Sequence, residues 1–408
     1  MQGHFYKPNC KCIDSKGESK KSKKCSCGAT WSYILDVGFQ ATGKRKQKKK
    51  GGFRTKGDAE EAAALLVAEL AKGTYVEESN INFKEFSQVW LDAYINKGKV
   101  KNGTIRVRKH EIGNLMPYFE FLKMKEITRQ QYQDALNDLK KRLADNTVDG
   151  IHSTGRTIFK YAVEIGSIRT DPTQYTYVPK VQKTLEQVEQ EKINIKYLEK
   201  EELALLLKTA KEKGMSDDYL IFLILSYSGL RVGELCALKR TDFDFKEHKV
   251  NVTKTYYNPN NNTVEYVLGT PKTKKSVRKI DLEPIIFDEL EKHFKQQDDY
   301  KRDQGDNYYD KDYVFVSTEY PGYPYYIKKI QNRFKLLLKL AGLNQELTPH
   351  SLRHTHTSLL AEAGVGLIDI MDRLGHEDDE TTKYVYLHVT KAKKKEASQK
   401  FGELMRSF

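Results

Sequence analysis

The sequence predicts a multidomain chain: a small α+β module at the front, an all-α helical bundle in the middle, and a mixed, mainly-α domain with a small antiparallel β-sheet at the end. Three observations predict it. The chain has 408 residues, enough for two or three domains with their own cores. Residues 31–39 read as a strand, whereas residues 83 to about 172 carry apolar positions at helical spacing throughout. From Tyr197 on, long helical patterns are interrupted by short runs of branched and aromatic residues between 249 and 282.

Composition narrows the function classes. A formal net charge of +14 points to an acidic partner, and nucleic acid is the simplest, because each Lys or Arg on a phosphate releases counterions. No apolar run is long enough to span a bilayer and the charged N-terminus lacks a signal-peptide core, so a cytoplasmic protein is expected. No strongly amphipathic basic helix or lipidation motif argues for a membrane surface. Five cysteines in such a chain do not suggest a disulfide framework, and Cys236, on the apolar side of a helix, is expected to be a small core residue. No Walker loop, carboxylate metal cluster or nicotinamide fingerprint is present.

Residues 1–75 form the front module. Trp31–Phe39 (WSYILDVGF) is the strand, Ala41-Thr42-Gly43 the turn, and Lys44–Lys50 (KRKQKKK) begins the returning strand, with Gly51-Gly52 at its end. Thr55 is an expected helix N-cap with Asp58 three residues on, and the helix stops near Gly73. A basic β-ribbon can enter the major groove, which makes Lys44, Arg45, Lys46, Lys48 and Lys49 candidate DNA contacts; the alternative is a solvated charge run. Cys10, Cys12, Cys25 and Cys27 form two C-x-C pairs. Four thiolates suit tetrahedral zinc, and the intervening lysines favour thiolate, although the spacing is narrower than the usual C-x2-C knuckle. The alternatives are a structural zinc and a redox-inert tail.

Residues 76–80 read as a linker, and 80–180 as the bundle. FKEFSQVWLDAYI places Phe83, Phe86, Val89, Trp90 and Tyr94 along one face. Asn102-Gly103 marks a turn. Helices follow over TIRVRKHEIGNLMPYFEFL, with Pro117 as a kink point, over ITRQQYQDALNDLKKRL, and over TVDGIHSTGRTIFKYAVEIG, which Gly166 stops. Lys99, Lys101, Arg106, Arg108 and Lys109 make one basic stretch, and Lys140, Lys141 and Arg142 another; a solvated helix face is the alternative for both. Asp171-Pro172 to about Asn194, rich in Gln, Glu and Lys, reads as an interdomain linker.

The third domain spans 194–408. YLEKEELALLLKTAKEKG is a helix with an acidic start, and DYLIFLILSYSGL a nearly all-apolar one that must be buried. Gly229 lets the chain bend, so that Arg231 in SYSGLRVGELCALKR stands at the next helix N-terminus, where dipole and side chain favour the same anion. KVNVTKTYY and TVEYVL, joined by Asn258–Asn262, read as a hairpin, with SVRKIDL as a third strand. Lys272 falls in the turn between strands, with Lys274 and Lys275 as neighbours; Lys274 is also a candidate DNA contact. Beyond the helix IKKIQNRFKLLLKLAGL come TPHSLRHT, with His350 and Arg353 three apart, then Leu374-Gly375-His376 and Tyr386-Leu387-His388. A basic cluster followed by a tyrosine suits chemistry on a phosphodiester, whose negative charge repels nucleophiles unless guanidinium groups offset it.

These motifs, in this order, resemble the tyrosine recombinases, the phage and conjugative-transposon integrases. The resemblance is close over the C-terminal half and covers the N-terminal half in general layout. It implies an arm-type DNA-binding domain over 1–75, a core-binding helical domain over 80–180 and a catalytic domain over 194–408. It implies that Arg231 and Arg353 bind the scissile phosphate, that Lys272 is the general acid for the leaving 5′ oxygen, that His350 and His376 are hydrogen-bond partners or base, and that Tyr386 is the nucleophile. Tyr384, two residues earlier, is the competing tyrosine. His354 and His356 are expected in helix packing or DNA contacts. Glu377-Asp378-Asp379-Glu380 departs from the family's mixed small and apolar residues. The implied product is a covalent 3′-phosphotyrosine, with no cofactor for catalysis. The implied partners are double-stranded DNA with core and arm sites, three further copies in a homotetramer, and an excisionase or host DNA-bending protein. The C-terminal stripe Phe401, Leu404, Met405 and Phe408 would dock on the next protomer or pack back on its own domain. Two rivals remain from the sequence: a DNA-relaxing type IB topoisomerase-like enzyme, told apart by whether ends rejoin to a second site, and a catalytically silent architectural protein, against which the intact residue set argues.

Overall fold

The computed structural model describes residues 3–12, 28–39, 43–72, 79–98, 100–180, 184, 197–260, 262–270, 274–375, 380–388, 402–403 and 405–406, Lys274 by its backbone only. Two compact units divide the chain, Met1–Lys180 and Val181–Phe408.

In the first unit, β1 (His4–Tyr6), β2 (Trp31–Phe39) and β3 (Arg45–Phe53) make an antiparallel sheet in that order. The three residues of β1 are too few to show a period, and the sequence reading did not include them. Gly51-Gly52 lie inside β3, which continues to Phe53. Helix α1 (Lys56–Ala71) starts as expected at Thr55, whose side chain accepts from the Asp58 N–H at 3.1 Å while its own N–H donates to the Asp58 carboxylate. It covers one face of the sheet through Ala63 and Leu66 on Tyr33 and Leu35. Because facing residues of paired strands point to the same side, Lys48 (opposite Leu35) and Lys46 lie on the α1 face. Lys49, opposite Ile34, lies on the open face with His4 of β1.

The bundle comprises α2 (Phe83–Asn96), α3 (Asn102–Phe119), α4 (Arg129–Lys140) and α5 (Asp145–Glu164) around Phe83, Phe86, Leu115, Phe119, Tyr132 and Phe159. Three expectations need correction. Val89 is 44% exposed and Leu91 takes its place in the core, because Val89 falls about 120° round the axis from Phe83. Asn102-Gly103 is no turn but the first residues of α3, where backbone N–H groups need no intrahelical partner. The linker begins later than Asp171. Asp171 accepts from the N–H and hydroxyl of Thr173, Gln133 makes two hydrogen bonds to the backbone of Tyr177, and Val178 is buried in the bundle core.

In the second unit, α6 (Lys200–Lys213), α7 (Asp218–Ser228), α8 (Val232–Cys236), α9 (Pro284–Gln304), α10 (Ile327–Ala341) and α11 (Pro349–Glu362) surround one core that includes Phe222, Leu225, Leu290, Phe334 and Leu352, while α12 (Leu367–Leu374) packs Ile370 and Leu374 with Ala361 of α11 in a smaller cluster. Residues 380–388 form a further helix, α13. Cys236 is buried in this core, as expected. The sequence reading did not include the 21-residue α9. The expected single hairpin is two separate sheets. β4 (Phe243–Asp244), β5 (Lys249–Val252) and β8 (Arg278–Asp281) form one, and β6 (Thr255–Tyr257) with β7 (Val267–Gly269) the other. The run KVNVTKTYY breaks at Thr253-Lys254, so that its first half pairs with β8 and its second with β7.

Candidate active site

Helix α7 ends at Gly229, whose φ of +63° is left-handed and whose added Cβ would lie 2.6 Å from a Leu374 methyl. Only glycine fits this turn. It delivers Arg231 as the N-cap of the five-residue α8. The Arg231 N–H donates to Glu234 Oε2 at 3.1 Å and its Nη1 to Glu234 Oε1 at 2.8 Å, while the side chain stays 31% exposed. Glu234 is buried and shared: Arg278 Nη2 donates to its Oε2 at 3.0 Å and Nη1 to its Oε1 at 3.4 Å. Burial alone would raise the Glu234 pKa, but the adjacent Arg278 and Arg231 guanidiniums hold it below the usual carboxylate value.

Arg353, in the second turn of α11, is 2% exposed. Its Nη1 donates to the carbonyl of Gly229 at 2.5 Å and its Nη2 to that of Leu374 at 2.6 Å. One guanidinium thus ties the turn before Arg231 to the turn before His376. Gly375 has a left-handed φ of +69°, and a Cβ there would stand 3.1 Å from the Lys275 carbonyl oxygen, Ser276 Cα and Arg278 Cδ. Ser276 Oγ donates to the Gly375 carbonyl at 3.4 Å. The Leu-Gly-His turn therefore lies against the turn that leads into β8. Lys272 and His376 themselves lie outside the described residues. So do Glu377, Asp378 and Asp379; Glu380 is exposed.

His350 is exposed in the first turn of α11, its ring 4.9 Å from and perpendicular to that of His354. On α13, Val385 is buried, and Tyr386 packs half-buried against the cluster of Ala361, Ile370 and Leu374. The expected nucleophile is thus held by α11 and α12, the helices that bring Arg353 and Leu374. Tyr384 is 37% exposed.

His356 is a packing residue. Its Nε2 accepts from Arg373 Nε at 3.1 Å, which leaves Nδ1–H to donate to the Ser226 carbonyl at 2.8 Å. Burial, reinforced by the Arg373 charge, pushes its pKa down from 6.5 to about 3. The unfolded chain therefore binds one more proton between those values. Stability should be fully present above pH 6.5 and fall as pH drops towards 3, by up to about 1.4 kcal/mol per pH unit. Chemical denaturation of the wild type and of His356→Gln across pH 4–7 checks this; the variant should have the shallower slope.

Sequence reasoning missed Arg278 and Arg373. Arg278 Nε donates to the Arg373 carbonyl at 2.8 Å, and Arg373 Nη2 donates to the carbonyls of Tyr227 at 3.0 Å and Asp281 at 2.8 Å. A signal for Arg278 existed: alternation along β8 puts it on the same face as the buried Ile280.

The expected DNA contacts divide. Lys44, Arg45, Lys49 and Arg106 are exposed, while Lys46 and Lys48 are half-buried. Arg45 stands 3.7 Å from Asp36. Arg108, expected to face DNA, turns inward: its Nη1 donates to Glu111 Oε2 at 2.9 Å and Thr154 Oγ1 at 2.6 Å, because Glu111 is buried in the α3–α5 contact and needs a cation. The basic stretch 140–142 is met by acids, with Lys140 on Asp145, Lys141 3.7 Å from Asp138 and Arg142 3.6 Å from Asp138. Lys274 is described by its backbone alone. Cys10 is buried and Cys12 half-buried; Cys25 and Cys27 lie outside the described residues. Among the described residues no three His, Cys, Asp or Glu side chains converge as a metal site, and no helix is long and apolar enough to cross a membrane.

Comparison with known proteins places the chain in a family. Residues 196–393 match the phage integrase family, residues 82–140 the phage integrase N-terminal SAM-like domain, and residues 20–70 an arm DNA-binding domain. The chain is 32% identical over 330 residues to the prophage ps2 probable integrase of Lactococcus lactis subsp. lactis (strain IL1403), covering 76% of this chain and 80% of that protein. It is 28% identical over 339 residues to the integrase of Staphylococcus phage L54a, covering 81% and 95%. The Tn1549 transposon integrase in complex with transposon right end DNA has the same fold, at a TM-score of 0.60 and 20% identity over 77% of this chain and 99% of that one. The chain belongs to the phage integrase family, the tyrosine recombinases that cleave and rejoin DNA at specific sites in the manner of prophage and transposon integrases.

Proposed function

We propose that Tyr386 attacks the scissile phosphate while Arg231 and Arg353 bind its non-bridging oxygens, forming a 3′-phosphotyrosine and releasing a 5′ hydroxyl. Lys272 supplies the proton to the leaving oxygen, His350 serves as base or hydrogen-bond partner, and His376 donates to the second oxygen. The phosphoester bond is conserved in the intermediate, so the reaction draws on neither ATP nor a metal. The observation that carries this reading is the pair of bonds from Arg353 to the Gly229 and Leu374 carbonyls, which gathers three motifs that lie far apart in sequence. Trapping on a nicked suicide duplex, followed by mapping of the peptide that carries DNA, tests it. DNA on Tyr386 is expected; DNA on another residue would overturn the assignment.

The same reading extends to assembly. Four copies on two DNA sites would exchange strands through a Holliday junction in the cytoplasm, integrating or excising a mobile element, with direction set by an excisionase or a host DNA-bending protein. A lambda integrase tetramer bound to a Holliday junction has the same fold, at a TM-score of 0.52. A cavity of about 910 Å³, whose walls include Leu203, Leu207, Leu359 and Leu360, is a receptor of the right apolar character for the Phe401–Phe408 tail of a neighbouring protomer. In the front module, Lys44, Arg45 and Lys49 are the arm-site contacts, since they are exposed and Lys49 lies on the sheet face that α1 leaves open. On α3, in the core-binding domain, the exposed Arg106 contacts the core-site duplex. Cys10, Cys12, Cys25 and Cys27 hold a structural zinc. One zinc per chain by elemental analysis, lost on substitution of Cys25 and Cys27 by serine, is expected, and a metal-free purified protein would refute it.

A further inference from the structure

We propose that Arg278 is a positioning residue for Arg231: by neutralising Glu234, it leaves the Arg231 guanidinium a net positive charge to offer the scissile phosphate. This rests on the reading of Arg231 as a phosphate ligand. Arg231, Glu234 and Arg278 form a three-charge chain in which one carboxylate is shared by two guanidiniums. Two cations and one anion leave a single surplus positive charge. Arg278 is not the group that delivers it, because four of its five N–H donors are engaged, two by Glu234 and two by the carbonyls of Ser276 and Arg373. Arg231 can, because its side chain is 31% exposed. Without Arg278, the buried carboxylate would face Arg231 alone and cancel its charge.

Arg278 also closes a circuit of contacts. It bonds the carbonyl of Arg373, and the next carbonyl, Leu374, receives Arg353. Arg353 bonds Gly229, two residues before Arg231, and Arg231 returns to Glu234. Every member of the circuit thus bears on where the two phosphate-binding guanidiniums stand. A lysine at 278 would keep the charge but lack the planar fork that spans Glu234 and two carbonyls.

The test is single-turnover cleavage of a nicked suicide duplex by the full-length protein. Arg278→Met should slow cleavage about a hundredfold with DNA affinity unchanged, and Arg278→Lys should cleave faster than Arg278→Met. The double variant Glu234→Gln/Arg278→Met restores one surplus positive charge and should recover much of the lost rate. A scissile methylphosphonate, in which a methyl group replaces a non-bridging oxygen and its charge, should narrow the gap between Arg278→Met and wild type. The ratio of the two substrates' rates is taken within each protein preparation, so incomplete folding does not alter it. Cleavage by Arg278→Met at the wild-type rate, or an equal deficit on both substrates with no recovery in the double variant, overturns the proposal. Arg231→Ala, run in parallel, separates the two levels. If it cleaves normally, the phosphate reading itself fails; if it is inactive while Arg278→Met is unimpaired, only the present inference fails.

Discussion

Tyr386→Phe should abolish covalent DNA attachment and leave duplex binding intact. The substitution removes one oxygen and keeps the ring that packs against Ala361, Ile370 and Leu374, so α13 should keep its place. Losing the nucleophile should lower the cleavage rate by more than about 10⁴-fold, the scale seen when a nucleophilic side chain is deleted from an enzyme. Tyr384→Phe, two residues away on the same helix and 37% exposed, should cleave at the parent rate. Electrophoresis of the suicide-substrate reaction under denaturing conditions measures both. A covalent band that survives Tyr386→Phe and vanishes in Tyr384→Phe would move the nucleophile by two residues and break the register after Leu374-Gly375.

Arg353→Ala should lose activity and stability together. Arg353 is 2% exposed, and its guanidinium satisfies the carbonyls of Gly229 and Leu374, both buried residues. Each stranded partner costs about 1–3 kcal/mol, so a loss of about 2–6 kcal/mol is expected in denaturant titration. Arg353→Lys should lose less stability, since an ammonium can serve one carbonyl, yet still cleave poorly, because it cannot hold both turns and grip a phosphate in the same plane. Unchanged stability in Arg353→Ala would mean that the two turns hold their places without it. The contrast with Tyr386→Phe, which keeps the ring packed against Ala361, Ile370 and Leu374, separates a residue that reacts from one that also builds the site.

Much of the fold was legible because the signals are local. Thr55 with Asp58, Thr128 with Gln131 and the Glu199–Glu202 pair each close a capping box within four residues. The all-apolar run before Gly229 is a buried helix, as its composition requires. The sheet was harder. Nothing local says that β5 pairs with β8, some thirty residues on, while the chain between them folds into its own two-stranded sheet.

Motif and order name candidate site residues, and the structure brings Arg353 against the turn before Arg231 and Gly375 against the turn at Lys275. The disposition of the cations was not. Arg106 and Arg108 look alike in sequence, but one is exposed and the other is paired with Glu111 inside the bundle. Lys140, Lys141 and Arg142 look like a basic patch until Asp138 and Asp145 are seen beside them.

By itself, then, the sequence determined which chemistry this chain carries and where its helices begin, because caps, periodicity and an ordered set of motifs are written in neighbouring residues. Only the tertiary structure decided which positive charges remain available to a phosphate. A buried cation's availability depends on whether a carboxylate from another element lies within about 4 Å of it. For Arg278, the carboxylate that settles the matter lies 44 residues earlier in the chain, on a helix that the sequence alone does not bring near.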